Sequence, residues 1–163
     1  MRFSAIALVL IACGGVPFLA PDTRTAADRA REIEPRCKSF TEASSATMLA
    51  PDAIDSVEVA YSYVQSGPVS REARFRGAHI HVKPLPGFSR EALTRGIECH
   101  EARALLGEIA PRADDPYAIA EHWLDIDVDS EGDGFAVLVR TDEMETARVV
   151  YQRAKRFVAT RSQ

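Results

Sequence analysis

Apolar and polar residues alternate along three stretches of the chain. From Ser56 onward, Val57, Val59, Tyr61 and Tyr63 alternate with polar or small residues, predicting a half-buried strand that Gly67-Pro68 breaks. Arg74 to Lys83 predicts a second strand, with Ala78, Ile80 and Val82 on one face and His79, His81 and Lys83 on the other. Trp123 to Asp129 predicts a third, in which Leu124, Ile126 and Val128 oppose Trp123, Asp125, Asp127 and Asp129. A turn from Ser130 to Gly134 returns it as the strand Phe135–Arg140. Two other stretches carry the helical period. Ser89 is a good N-cap for a helix through Leu106, where Gly107 can end it, and Leu93, Ile97, His100 and Ala104 share one side. Asp142 with Glu145 reads as a capping box opening a last helix, striped by Ala147, Val150, Tyr151, Ala154, Phe157 and Val158. Asp115-Pro116 carries the cap-plus-proline signal of a short helical turn before Trp123.

The order ββαββα predicts an α+β domain over residues 53–163. It is a small, four-stranded, mainly antiparallel sheet with two helices on one face, the ferredoxin-like order with its last strand moved to the front. The other face would be open to water and would carry the polar sets just named. Residues 22–52 read as a helical and irregular N-terminal segment. The Ala/Arg/Glu-rich stretch Asp22–Glu34 predicts a helix ended by Pro35, and Lys38–Pro51 is Ser/Thr/Ala-rich.

The extreme N-terminus has a different character. Arg2 precedes an apolar run, Ala5 to Ala12, too short to cross a bilayer as a stable helix. Leu10-Ile11-Ala12-Cys13 resembles the lipobox of bacterial lipoproteins, in which the Cys is acylated and the preceding segment removed. The resemblance implies a signal peptide over 1–12, lipid on Cys13 and a tether over 13–21. The protein would then sit in the cell envelope facing the periplasm, held to the membrane by its lipid. Gly14 stands where some lipoproteins carry the Asp associated with inner-membrane retention, which favours the outer membrane. An ordinary secretory signal cut after Ala12 or Ala20 is the competing reading.

Composition narrows the role. The formal charge is −4, and cleavage would remove Arg2 and make the mature chain more acidic. Charges are interspersed without a basic stripe, which argues against a nucleic-acid partner. Lipidation of Cys13 would leave Cys37 and Cys99 as an even pair. In an oxidising compartment they would form a disulfide closing a loop of about 60 residues; two free thiols are the alternative.

All four histidines lie in the predicted domain. His79 and His81, two apart on one strand face, can both reach one ion, so a zinc or copper site is one expectation and a solvated polar face the other. Asp125 and Asp127 would share that face, but an intervening strand sets them about 10 Å away. Cys99 and His100 point about 100° apart on their helix, so His100 reads as a buried, hydrogen-bonded core histidine and not as part of a nucleophilic pair. Asp129, Glu131, Asp133 and Gly134 imitate half of a calcium loop, but Arg140 stands where its bidentate Glu belongs. The chain carries no phosphate loop, dinucleotide fingerprint, nucleophile elbow or zinc-protease helix. A non-enzymatic role without a cofactor follows.

A longer resemblance spans most of the second half. Gly77-Ala78-His79-Ile80-His81-Val82 with Pro86-Gly87, Glu91-Ala92-Leu93 and Cys99-His100-Glu101-Ala102-Arg103 resembles uncharacterised envelope proteins of myxobacteria and their relatives. Gly132 to Val139 and Glu145-Thr146-Ala147-Arg148 extend it. The resemblance implies an earlier Cys matching Cys37, which favours its pairing with Cys99. The expectation is a lipid-anchored envelope protein acting as a non-catalytic binding or assembly module, with an envelope protein as its partner. The alternative is a periplasmic metal-binding protein using His79 and His81.

Overall fold

The computed structural model describes residues 24–41 and 49–159. The lipobox, Cys13 and the tether lie outside them. A long hairpin, β1 (Ile54–Gln65) with β2 (Arg71–Val82), is followed by helix α2 (Arg90–Leu105), strands β3 (Asp125–Glu131) and β4 (Gly134–Arg140), and helix α3 (Met144–Ala159). Upstream stands the short helix α1 (Ala26–Ile33). The sheet order is β1-β2-β4-β3 and every pairing is antiparallel. This is the permuted ferredoxin-like arrangement the element order predicts.

Helices α2 and α3 cover one face because both present apolar stripes to it. Ile80, Val82, Val137 and Val139 from the central strands meet Leu93 and Ile97 of α2 and Val150, Ala154 and Phe157 of α3 in one buried cluster. Helix α2 ends as its sequence predicts. Gly107 adopts φ +74°, its N–H bonds Ala104 O, and the Glu108 N–H bonds Arg103 O.

The central pairing depends on two glycines. A Cβ on Gly77 would run into Val139 O, and one on Gly134 into Val82 O. Both lie at the β2–β4 contact, so the strands approach as closely as their ladder requires.

Several local expectations give way. The β1–β2 ribbon outruns β4, which pairs with β2 only from Gly77 to Val82. Tyr61 and Tyr63 are therefore 54% and 69% exposed. Tyr61 still contacts Phe75 edge-on, and Phe75 contacts Tyr151 of α3. Strand β3 begins at Asp125, not Trp123. Asp115-Pro116 opens no helix: Asp115 Oδ1 accepts from the Tyr117 N–H in a tight turn that buries Tyr117. Asp142 forms no capping box, because it pairs with Arg76 while Glu145 pairs with Arg148. Helix α1 starts at Ala26 behind a Thr25–Asp28 capping box. The α-helix ends at Ile33, just ahead of Pro35 as expected, and Pro35 stands at the start of a 3₁₀ turn (Glu34–Ser39), where the missing N–H costs nothing.

That turn carries Cys37, which is bonded to Cys99 on α2. The Arg103 guanidinium donates to Cys37 O at 2.9 Å and Phe40 O at 3.0 Å, fixing the same segment. Two residues beyond Cys99, Glu101 is fully buried, and its Oε1 accepts the Leu124 N–H at 2.5 Å. Burial pushes the Glu101 carboxyl well above the ordinary carboxylate range, against the opposing pull of the Leu124 N–H.

Two outcomes follow. Replacing both cysteines by serine is expected to cost about 4 kcal/mol from the loop the bond closes, read by urea denaturation. Glu101 holds its proton in the fold at a pH where the unfolded chain has lost it. Stability should therefore decline as pH rises from the unfolded carboxyl value of about 4.3 through the higher folded value. Denaturation of Glu101→Gln across the same pH series should show that decline flattened.

Candidate metal centre on the open sheet face

The face opposite the helices is built from alternate residues of four strands. Glu58 on β1 stands opposite His79 on β2, and Ser56 opposite His81. Across β2, His79 faces Leu138 and His81 faces Ala136 of β4; beyond these lie Asp127 and Asp129 of β3.

The two imidazoles meet at 4.5 Å between ring centroids. Glu58, His79 and His81 each offer a ligand atom, and the three atoms lie within 4.8 Å of one another. Tetrahedral ligands about 2.1 Å from a zinc ion stand roughly 3.4 Å apart, so the set needs to close by only about an ångström or so. Both histidines are half-buried and Glu58 is exposed, which leaves the group reachable from solvent.

His81 is the most constrained member. Its Nδ1 lies 2.6 Å from Glu131 Oε2, and its Nε2 is shielded from water and has no hydrogen-bond partner. Glu131 comes from the last position of β3, opposite Gly134, and reaches across β4 to β2. A left-handed residue, Gly132 at φ +58°, opens the two-residue turn between them.

The other residues singled out in the sequence go elsewhere. Asp125 and Asp127 both accept from one Arg140 guanidinium and are separated from the histidines by β4, so neither joins the centre. Asp129 faces Arg90 at 3.7 Å. His100 Nε2 lies 2.6 Å from Asp115 Oδ2, the hydrogen-bonded state expected for it, but at the half-buried edge of α2 and not in the core. Cys99 is consumed by the disulfide and holds no free thiol. Glu58 was not singled out by the motifs, and Glu131 entered only through the calcium-loop pattern. Glu58 was open to discovery, because it alternates with Val57 and Val59 and shares the polar face. The pairing of Glu131 with His81 was not, because the two lie fifty residues apart.

Comparison with family models, curated proteins and solved structures found no match to this chain.

Gly134→Ala places a methyl against Val82 O and must push the β3–β4 turn away from β2. The expected result is a loss of about 1–3 kcal/mol, read by thermal or urea unfolding, together with a shifted His81 ring signal in proton–nitrogen NMR.

Proposed function

We propose that this chain is a lipid-anchored cell-envelope protein whose open sheet face binds zinc or copper(II) through Glu58, His79 and His81, in a binding role and not a catalytic one. The observation that carries the reading is His81, whose Nε2 is shielded from water and without a partner, and whose ring is grouped with a second imidazole and a carboxylate. An orphaned buried polar atom calls for a missing partner, and an ion shared with His79 and Glu58 supplies one. Imidazole and carboxylate suit zinc and copper(II). The trio has no thiolate or thioether to select copper(I). Three protein ligands leave a coordination position for water.

Binding rather than chemistry is assigned because the neighbouring carboxylates are already engaged, Glu131 by His81 and Asp127 by Arg140. The Cys37–Cys99 disulfide supports an oxidising compartment. The anchor rests on Leu10 to Cys13, and Gly14 favours the outer membrane. A second reading, assembly with an envelope protein partner, is favoured by the exposed Tyr61 and Tyr63.

Protein purified without chelator should carry stoichiometric zinc or copper by elemental analysis, and His79→Ala/His81→Ala should lose it while keeping its fold. Wild type that takes up neither ion after dialysis against each would overturn the metal reading. Intact mass of the protein from its native membrane should show acyl chains on Cys13; an unmodified full-length product would overturn the anchor.

A further inference from the structure

We infer that Glu131 is a positioning residue that fixes the tautomer of His81 and so presents its Nε2 lone pair to the ion; this rests on the metal reading above. A neutral imidazole carries one N–H, and the nitrogen that holds it cannot bind a metal. Glu131 Oε2, 2.6 Å from Nδ1, accepts the proton there, which leaves Nε2 bare. The structure agrees at the other end of the ring, where Nε2 is shielded from water and donates to nothing. An Nε2–H tautomer would bury an unpaired donor and set two acceptors, Nδ1 and the carboxylate, against each other. Both penalties disfavour it.

The arrangement is carboxylate, histidine, ion, in which the outer carboxylate orients the ring and makes it a stronger base. Glu131 is half exposed and is not one of the three grouped ligands, so it acts through His81 and not on the ion. It also ties strand β3 to the centre. Glu58, His79 and His81 belong to β1 and β2, and Glu131 brings the far edge of the sheet into contact with them. Among the described residues His79 has no corresponding carboxylate across the sheet, since its neighbour on β4 is Leu138 and the next carboxylate, Asp127, is held by Arg140. The two imidazoles are therefore unequal. His81 is the preset ligand, and His79 is the one that adjusts.

The test compares wild type with Glu131→Ala and Glu131→Gln by zinc titration, and reads the ring nitrogens of His81 by NMR in metal-free protein. In wild type the metal-free ring should be the Nδ1–H tautomer. Glu131→Ala should shift it towards Nε2–H and weaken zinc binding by about tenfold to a hundredfold. Glu131→Gln should recover part of that loss, because its side-chain carbonyl can still accept the Nδ1 proton. Unchanged thermal unfolding of both variants would separate positioning from a structural role. A wild-type Nε2–H tautomer, or undiminished zinc affinity in Glu131→Ala, overturns this inference and leaves the metal reading standing. Wild type that binds neither zinc nor copper overturns both.

Discussion

Strands β2 and β4 lie side by side at the middle of the sheet, and the residues of that one ladder face two environments at once. Ile80 opposite Val137 and Ala78 opposite Val139 point into the helices and form the centre of the apolar core. His79 opposite Leu138 and His81 opposite Ala136 point the other way and form the floor of the candidate site. Because side chains alternate with period two, a slip of one residue would put imidazoles into the core and valines into water. The register is thus held by burial on one face. Gly77 and Gly134 let the two backbones come close enough to keep it. Site geometry is a by-product of core packing, which is why a flat, exposed surface can hold side chains in place.

Much of this arrangement could be read from the chain. Alternation located the strands within a few residues, the stripes located both long helices, and Ser89 and Gly107 bounded α2 as caps. The failures share a cause. Asp115-Pro116 and Asp142 carry capping chemistry, but their carboxylates found other partners, His100 and the Tyr117 N–H in one case and Arg76 in the other. Local signals cannot weigh such long-range competitors. Glu101 was missed. It lies four residues beyond Ile97, on the same helical row as Leu93, but its charge argued for the surface, and the stripe was drawn instead through His100 and Ala104, which are only half-buried. The backbone N–H of Leu124 lets Glu101 enter the core by giving the buried carboxyl a donor.

The acidic residues around the open face are sorted by what stands next to each. One guanidinium, Arg140, engages Asp125 and Asp127 together. Asp129 is drawn to Arg90, and Glu131 to His81. Glu58, the one carboxylate of the grouped trio, stands exposed beside two imidazoles. A run of carboxylates that looks interchangeable along the chain thus becomes a set of distinct chemical environments once the strands are aligned. Only the alignment, and not the spacing, tells them apart.

The bond between Cys37 and Cys99 also sets how mechanical tension travels. A pull exerted upstream of Cys37 and resisted downstream of Cys99 passes straight from one sulfur to the other. Residues 38–98, which include β1, β2, Glu58, His79 and His81, lie off that covalent path. Traction on the N-terminal side would therefore load α2 and leave the paired imidazoles undisturbed.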